Sequence, residues 1–424
     1  MSDLHRSKPD ERDQARADRR DATQNAPAAG AAGGATSGSM VGATPEGFGP
    51  GDRPLRLVVC GLSHGHAGWL LDAARRRDDI EIVGVWEPDR TLADRYAGDF
   101  GLDLPRLWSA DLGEVLDRSR AEAGVVMTST RGHGDAVEQL AARGLHVMVE
   151  KPLAVSASEA RRMAGVCARA GVHLVTNFET SWYAGLREAH ALTRRAFAPI
   201  TRAVFSHGHP GPIVIGCQPE FVDWLIDPVE NGGGAMMDFG CYGVALMTWL
   251  MDGQRPSEVL ATHSTQRPGE HPRVDDDSTI LLTYANGATG VVQGSWCWPH
   301  PCKSAEIYTQ SGAVYSAEWD RLSVRSSEEA SAHRRLCEPL PQGLRDPWTY
   351  LRELSHGRVA PDVLGSPELN ITVCEVLDAA RLSALQGRRV DLVEGSSSQA
   401  ASSQAASSQV VSSPGSAPSS RLGA

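Results

Sequence analysis

Lysine is scarce in this chain, and one lysine stands where an amine could do acid-base chemistry. Only Lys8, Lys151 and Lys303 occur among 424 residues, whereas arginine supplies nearly all the other positive charge. An arginine is always charged and binds as a rigid fork, but a lysine amine is compact and can release its proton when it is desolvated. Acid-base chemistry on a hydroxyl or carbonyl group requires such a group. We therefore predict a catalytic role for Lys151, against the plainer interpretation of a surface lysine at a strand end.

The residues before Lys151 predict the element that positions it. Val147-Met148-Val149 is a short apolar run typical of a buried parallel strand, and Glu150, Lys151 and Pro152 follow directly. In open α/β sheets, ligands bind beyond the carboxyl ends of the strands. Lys151 is thus expected at the ligand-binding edge of a sheet.

A second set of candidate catalytic residues lies in the other half of the chain. Gly232-Gly233-Gly234 leads into an apolar stretch that predicts one helix to about Met251. Within one helix, Asp238 and Tyr242 are four residues apart and share a face, so that a carboxylate and a phenol could relay a proton with Lys151. The alternative is a flexible glycine turn, a carboxylate at a helix start and a core tyrosine.

The chain before Lys151 predicts a dinucleotide-binding unit. The apolar strand 55–60 is followed by a turn and a helix, where the fingerprint G-x-G-x-x-G is expected. Only its first glycine, Gly61, is in register, and Ser63 and His66 stand at the other two positions. The helix N-terminus could still bind phosphate. The predicted phosphate-binding residues are Gly61, Ser63, His64, Gly65 and His66.

The second strand, 80–86, ends in an acidic residue that bears on cofactor choice. Glu87 could accept hydrogen bonds from both adenosine ribose hydroxyls and would repel a 2′-phosphate, which favours NAD over NADP. Arg90 could hold that phosphate instead, so NADP stays possible. The plainer interpretation of Glu87 is a solvated turn carboxylate.

The alternation of strands and helices predicts an α/β protein, in which an N-terminal Rossmann domain with a doubly wound parallel sheet spans residues 54–152. Thr128, Ser129 and Thr130 follow its fourth strand and could line the nicotinamide side. Residues 153–394 are expected to form an α+β domain with a mostly antiparallel open sheet, a hairpin turn at Asn286-Gly287 and a closing helix over 368–386. Residues 1–53 and 395–424 are expected to be disordered tails.

These motifs together resemble the glucose-fructose oxidoreductase, inositol dehydrogenase and rhizopine catabolism family (Gfo/Idh/MocA), from about Leu55 to Leu392. The resemblance rests on the phosphate turn, the hydroxyl-rich tip before His133, the run His-Val-Met-Val-Glu-Lys-Pro, and the triple glycine followed by Asp238 and Tyr242. A tyrosine at the last position is similar to the branch with glucose-fructose oxidoreductase and the dihydrodiol dehydrogenases.

The resemblance implies functional residues at matching positions. Lys151, Asp238 and Tyr242 would line a substrate pocket that faces the nicotinamide. The chain departs from the family pattern at Glu179, where an arginine is common, and the usual substrate contact there is in doubt. The open sheet would form the interface of a homodimer or homotetramer. The resemblance implies that the phosphate turn, Glu87 and Arg90 bind the cofactor. It implies the same for Thr128, Ser129, Thr130, His133, Glu150, Lys151 and Asn177.

Composition excludes several other classes of protein. A net charge of −11 without a basic stripe argues against nucleic-acid binding. No signal-peptide pattern and no run of about 18 apolar residues occur, so we expect no membrane partner and a cytoplasmic location. The eight cysteines are expected to be free thiols. Cys297, His300 and Cys302 could ligate a metal, but their spacing is no established zinc pattern, and no metal is expected.

The sequence therefore predicts an NAD(P)-dependent dehydrogenase that acts on a secondary alcohol of a sugar, polyol, cyclitol or related small molecule. Tyr242 would accept the hydroxyl proton, and Lys151 would lower the pKa of the phenol from about 10. These two roles could be exchanged. The alternatives are an NAD-dependent glycoside hydrolase or epimerase that recycles its cofactor, and a non-catalytic NAD(P) sensor.

Overall fold

The computed structural model describes residues 52–197 and 199–392, and these residues form two sheets with flanking helices. The predicted C-terminal tail, 395–424, and nearly all of the predicted N-terminal tail, 1–53, lie outside the described residues. Within the described part of the chain, every helix is too short or too polar to cross a bilayer.

The first sheet is parallel and has six strands in the order β3-β2-β1-β4-β5-β6. This order places a topological switch point between β1 and β4, where open α/β sheets bind ligands. The predicted Rossmann fold is confirmed. The strands are Leu55–Cys60 (β1), Ile80–Trp86 (β2), Trp108–Ser109 (β3), Ala123–Val126 (β4), His146–Glu150 (β5) and Leu174–Asn177 (β6).

Helices pack on both faces of this sheet because its strands carry apolar side chains toward both sides. Their starts follow the sequence signals: Asp89, Asp111 and Ser156 each accept hydrogen bonds from first-turn N–H groups. The helices are Ala67–Arg76 (α1), Arg90–Phe100 (α2), Leu104–Leu107 (α3), Leu112–Ser119 (α4), His133–Ala142 (α5) and Ala157–Ala170 (α6).

The parallel sheet extends beyond the boundary expected at residue 152. After Pro152, α6 crosses back over the sheet, and β6 pairs with β5 in parallel register from Val147 with Leu174 to Glu150 with Asn177. The four buried residues of β6 offer too short a pattern to be separated from the second domain by sequence alone. The pairing brings Asn177 beside Glu150.

The second sheet has nine strands in the order β14-β13-β12-β11-β7-β10-β9-β8-β15 and is antiparallel except between β7 and β10. Asn286 and Gly287 form the predicted hairpin turn, in which Gly287 has a φ of +86°. The strands are Ile200–Gly208 (β7), Glu258–Ser264 (β8), Asp277–Thr283 (β9), Thr289–Ser295 (β10), Cys302–Thr309 (β11), Gly312–Ser316 (β12), Arg321–Ser326 (β13), His333–Leu336 (β14) and Val390–Asp391 (β15).

One face of this sheet is covered by helices that share a large apolar core with it. The closing helix was expected over 368–386 and runs from Pro367 to Gln386. The helices of this half are Ala184–Arg195 (α7), Pro219–Leu225 (α8), Ala235–Asp238 (α9), Gly240–Leu250 (α10), Pro347–Ser355 (α11) and Pro367–Gln386 (α12), with a short 3-10 turn at Glu179–Trp182.

The single helix predicted from residue 235 to 251 is wrong, because the chain breaks at Phe239 into α9 and α10. The Asp238 carbonyl accepts hydrogen bonds from Lys151 Nζ at 3.4 Å and from Cys241 Sγ at 3.3 Å. The Tyr242 N–H bonds instead to the Phe239 carbonyl, at 3.2 Å. In a continuous helix the Tyr242 N–H would bond to the Asp238 carbonyl, which here contacts Lys151 instead. No local sequence pattern predicts this contact.

Candidate active site

Lys151 and Asp238 form an ion pair between Nζ and Oδ1. Lys151 follows the last residue of β5, and Asp238 is the last residue of α9. Each side chain is only 7% exposed. The second carboxylate oxygen of Asp238 accepts a hydrogen bond from the indole N–H of Trp296, at 2.9 Å. The pair is therefore held in one geometry by groups from three separate parts of the chain.

The two partners keep each other charged. Burial alone would lower the pKa of Lys151, but the Asp238 carboxylate raises it to about 12. Burial likewise opposes the ionised form of Asp238, and the Lys151 ammonium lowers the pKa of this carboxyl to about 2. Lys151 is an ammonium at neutral pH and can donate a hydrogen bond or a proton to a substrate oxygen.

Tyr242 lies beside this pair, with its ring centroid 5.4 Å from Lys151 Nζ. Its hydroxyl has no hydrogen-bond partner within the described ranges, although the residue is 2% exposed. The expectation that Lys151 lowers the pKa of Tyr242 is wrong. Burial raises that pKa well above its usual value, and the carboxylate of Glu179 raises it further. Tyr242 is therefore a neutral hydrogen-bond donor at neutral pH.

Glu150 connects the strand end to the predicted phosphate turn. Its Oε1 accepts a hydrogen bond from Asn177 Nδ2 at 2.9 Å, and its Oε2 lies 3.1 Å from His66 Nδ1. Burial would raise the pKa of Glu150, but His66 and His64 hold it well below its usual range. Asn177 also accepts a hydrogen bond from the Trp182 indole, at 3.1 Å. Asn177 thus positions Glu150, and Glu150 positions His66.

The predicted phosphate turn runs from Gly61 into α1. Gly61 has a φ of +85°, and a Cβ there would lie 2.6 Å from Cγ2 of Thr128, so the turn requires glycine at this position. The helix α8 of the second half packs over the turn: Trp224 donates its indole N–H to the Ser63 carbonyl at 3.1 Å, and the Phe221 ring lies against Gly65. No pattern in the sequence predicts this contact between α8 and the turn.

Glu87 is where the sequence predicted it, at the end of β2, but it is not a solvated turn residue. Its Oε2 accepts a hydrogen bond from the Leu62 N–H at 2.8 Å, and its Oε1 accepts one from the Asp89 N–H at 2.9 Å. Each carboxylate oxygen keeps a further lone pair for a ligand hydroxyl. Arg90 is exposed, pairs with Asp94 and stacks at 4.6 Å on Trp108.

The hydroxyl residues after β4 are used within the protein. Ser129 Oγ donates to Glu230 at 2.7 Å, and Thr130 Oγ1 donates to Asn231 Oδ1 at 3.1 Å. Thr128 contacts the turn glycine through its methyl group. His133 is buried with Nδ1 3.1 Å from the Leu153 carbonyl, and burial lowers its pKa to about 4. Ser129 and Thr130 therefore join the parallel sheet to the loop before the triple glycine.

Three potential metal ligands come together among the described residues: His64, His66 and Glu150, with ligand atoms within 4.8 Å of one another. His64 Nδ1 accepts a hydrogen bond from the His66 backbone N–H at 3.1 Å, so the proton of this neutral imidazole is on Nε2. A protonated nitrogen has no lone pair for a metal. We interpret the cluster as a hydrogen-bond network. Cys297, His300 and Cys302 do not form such a group in the described part of the chain.

Sequence reasoning missed a second, partly buried ion pair at this site, between Lys303 Nζ and Glu179 Oε2. Lys303 lies at the start of β11, and its Nζ is 4.7 Å from the centroid of the Tyr242 ring. Both lysines of the described chain thus contact the same tyrosine ring. The scarcity of lysine, which singled out Lys151, could also have singled out Lys303.

The residues at the predicted cofactor site suit an anionic dinucleotide. The helix α1 begins without a side-chain cap and has no acidic residue in its first turn. Its N-terminal N–H groups therefore favour negative charge, as in other phosphate-binding helices. Glu87 at the end of β2 is in position to accept hydrogen bonds from hydroxyl groups. The N–H donors of α1 and the carboxylate acceptor of Glu87 together fit phosphate and ribose.

A six-stranded Rossmann sheet, an uncapped helix at its phosphate turn and a lysine–carboxylate pair at the end of β5 define a dinucleotide-binding oxidoreductase. Residues 55–178 match a family model described as an oxidoreductase family with an NAD-binding Rossmann fold, and residues 186–315 match the GFO/IDH/MocA C-terminal domain. The chain belongs to the GFO/IDH/MocA family of oxidoreductases, and its cofactor is NAD or NADP.

Relatives with assigned names support this membership. The chain is 33% identical over 334 residues to D-xylose 1-dehydrogenase (NADP(+)) 2 of Haloferax volcanii, covering 75% of this chain and 94% of that enzyme. It is 27% identical over 235 residues to the rabbit trans-1,2-dihydrobenzene-1,2-diol dehydrogenase, covering 55% of this chain and 66% of that enzyme. An inositol dehydrogenase homologue from Azotobacter vinelandii, solved with NAD+, has the same fold, with a TM-score of 0.67. The two chains are 18% identical, and the match covers 80% of this chain and 97% of that chain.

Proposed function

We propose that this protein is an NAD-dependent dehydrogenase that interconverts a secondary alcohol and a carbonyl group on a sugar, polyol or cyclitol. The observation that carries the proposal is the buried Lys151–Asp238 pair beside the Tyr242 hydroxyl, which no group of the described residues hydrogen-bonds. Glu150 and His66 link this pair to the predicted phosphate turn. The named relatives that act on xylose and dihydrodiols support the substrate class.

NAD would supply or accept the hydride, and the residues that would hold it are the turn 61–66, Glu87, Glu150 and Asn177. Phosphate groups would take the N-terminal N–H groups of α1. Glu87 would accept hydrogen bonds from ribose hydroxyls and repel a 2′-phosphate, which favours NAD over NADP. One named relative uses NADP, so the titration below compares both cofactors.

The proton chemistry belongs to Lys151 and Tyr242. Because both groups have raised pKa values, both are protonated at neutral pH and can donate hydrogen bonds to one substrate oxygen. In the direction of carbonyl reduction, Lys151 stabilises the developing alkoxide and gives it a proton. In the direction of alcohol oxidation, the same amine must first lose its proton. Asp238 and Trp296 keep the amine in place throughout.

We also propose that the protein self-associates through its second sheet and lies in the cytoplasm. On the sheet face opposite the helices, Leu260 and Leu281 are paired neighbours on β8 and β9 and are 38% and 42% exposed. A second copy of this chain would cover them, as the sequence resemblance implies. All eight cysteines are free thiols, which suits the reducing cytoplasm that we propose.

The experiment that tests the function is a titration of the purified protein with NAD and then NADP, followed by NADH fluorescence and absorbance at 340 nm. A panel of polyols, inositols and aldoses serves as substrate. NAD binding with NADH formation on one class of polyol supports the proposal. Binding without net reduction on any compound would instead favour an enzyme that recycles its cofactor or a sensor.

A further inference from the structure

The ion pair of Lys303 and Glu179 lies beside the candidate catalytic residues, and the proton chemistry proposed above uses it only through the effect of Glu179 on the pKa of Tyr242. Lys303 comes from β11, and Glu179 comes from the turn after β6. Their side chains are 18% and 9% exposed. Glu179 Oε1 also accepts a hydrogen bond from the Tyr183 hydroxyl at 2.5 Å. The pair is therefore largely desolvated and held on both carboxylate oxygens.

This pair is built in the same way as the Lys151–Asp238 pair. In each, one carboxylate oxygen contacts a lysine and the other accepts a hydrogen bond from an aromatic side chain, Trp296 for Asp238 and Tyr183 for Glu179. Both ammonium groups lie near the ring of Tyr242, at 5.4 Å and 4.7 Å from its centroid. Two equivalent polar pairs therefore share one aromatic residue whose hydroxyl has no protein partner in the described ranges.

We propose that Lys303 and Glu179 form a second hydroxyl-binding subsite, so that the substrate must carry a hydroxyl group in addition to the one that is oxidised. An ammonium has three N–H donors, and a carboxylate keeps acceptor sites after its protein contacts. A lysine–carboxylate pair offers a donor and an acceptor side by side, which is what a hydroxyl group requires. This inference rests on the proposed function and names the residues that would bind a second hydroxyl group of its polyhydroxylated substrate.

The charge of the subsite selects neutral compounds. Glu179 neutralises Lys303, and a substrate carboxylate or phosphate would gain little from a cation that is already paired. His207 lies directly opposite Lys303 in the sheet, with its ring 5.6 Å from the Tyr242 ring. Its Nδ1 has no hydrogen-bond partner among the residues that the structure describes. Burial, and to a lesser degree Lys303, lower the pKa of His207 to about 3, so it adds no charge. We therefore expect sugars, polyols or cyclitols in preference to their acidic derivatives.

Steady-state kinetics test this subsite with two substrates. The two substrates are the best polyol of the panel and a monohydric secondary alcohol of the same ring or chain length. Both are measured with wild type, Lys303→Met and Glu179→Gln. Both are also measured with the double variant, in which neither partner leaves an unpaired charge. Loss of a charge-assisted hydrogen bond should lower kcat/KM on the polyol about 10- to 100-fold, mainly through KM. The monohydric alcohol should change less than about threefold, because it cannot use the pair.

A matched control is Arg202→Met, which removes a cation from β7 on the same sheet at an exposed position. It should leave both substrates unchanged. Equal losses on the two substrates in the Lys303→Met and double variants would show a structural role and overturn the inference, as would no loss on the polyol.

Failure of the proposed function is recognised separately, because wild type would then form no NADH with any alcohol. In that event, calorimetric titration of polyols into wild type and Lys303→Met decides whether the subsite exists. Binding that the variant loses supports it, and absence of polyol binding to wild type overturns it.

Discussion

Lys151 and Asp238 pair across 87 positions of the chain, and the contact joins the end of β5 to the end of α9. The same lysine also hydrogen-bonds to the Asp238 carbonyl, at the break between α9 and α10. A single amine therefore contacts both the side chain and the backbone of Asp238. Removing one partner of a buried ion pair leaves the other charge uncompensated, which is strongly destabilising.

The variant Asp238→Asn should lower the pKa of Lys151, because burial then acts without its opposing carboxylate. We expect the alkaline limb of the oxidation rate to move to lower pH and the free energy of unfolding to fall by about 3–5 kcal/mol. Urea unfolding and pH–rate profiles measure the two effects. Trp296→Phe, which removes the indole hydrogen bond to Asp238 together with part of a buried ring, should shift the pH profile less, in the same direction. An unchanged pH profile in Asp238→Asn would contradict this account.

The wild-type enzyme should show little pH dependence of carbonyl reduction. The pKa of Lys151 is raised from 10.5 to about 12. The contribution of Lys151 to the free energy of unfolding is therefore complete below pH 10.5 and is lost as the pH rises through 12. The pKa of Asp238 is lowered from 3.8 to about 2, so its contribution is complete above 3.8 and is lost as the pH falls through 2. Reduction rates should be flat over roughly pH 5–9, whereas oxidation rates should rise with pH. A bell-shaped reduction profile centred near neutrality would mean that another group moves the proton.

The variant Gly61→Ala should destabilise the protein by about 1–3 kcal/mol and weaken NAD binding. Its φ of +85° disfavours any side chain, and a Cβ would overlap Thr128. Gly98→Ala is the matched control, because Gly98 lies in α2 with no atom within 4 Å of an added Cβ. This change should be neutral or stabilise the helix by about 0.5–1 kcal/mol. Thermal unfolding and NADH fluorescence separate the two variants, and equal behaviour would refute the assignment of the turn.

The variant Glu87→Ala should reduce the preference for NAD over NADP and also lower stability. The N–H groups of Leu62 and Asp89 lose their acceptor, and an unsatisfied buried donor costs about 1–3 kcal/mol. Arg90→Ala should leave both properties nearly unchanged, because Arg90 is exposed and already pairs with Asp94. Dissociation constants for NAD and NADP give the preference. A variant without Glu87 that still prefers NAD to the same degree would remove this residue from cofactor choice.

The variant Leu281→Asp should weaken self-association, since a charge at the exposed Leu260–Leu281 pair opposes burial against a second copy. Leu385→Asp, on α12 and 81% exposed, is the control on a helix surface. Light scattering after size exclusion measures the mass of each variant and of wild type. A monomeric wild type, or an oligomer that Leu281→Asp leaves intact, would show that this face is not the interface.

The elements of the fold could be predicted from sequence wherever apolar periodicity and capping residues agree. Strands β1, β2, β4 and β5 and the helix starts at Asp89, Asp111 and Ser156 follow such local signals. Strand β14 could not be predicted, because all four of its residues are exposed and the first three are a histidine and two arginines. The break at Phe239 also escaped prediction, since the Asp238 carbonyl at the break contacts a lysine 87 positions away, which no local pattern shows.

Some residues of the candidate site could likewise be predicted from sequence, and others could not. Lys151, Asp238 and Tyr242 could be singled out because a rare residue and a glycine-rich motif mark them. The pair Lys303–Glu179 spans 124 positions and has no local pattern, so only the folded chain brings it together. The pKa of Tyr242 was predicted in the wrong direction, because sequence shows a neighbouring cation but not the burial and carboxylates that outweigh it.

The most direct test of the central claim compares turnover and NADH affinity in Lys151→Met, with Lys151→Arg as a variant that keeps the charge. If Lys151 acts on the substrate oxygen, kcat should fall about 1,000-fold or more in Lys151→Met, and the NADH dissociation constant should change only slightly. Lys151→Arg should remain strongly impaired, because a guanidinium cannot give up its proton. A Lys151→Met variant that loses NADH affinity but keeps its kcat would make Lys151 a cofactor-binding residue and contradict the account.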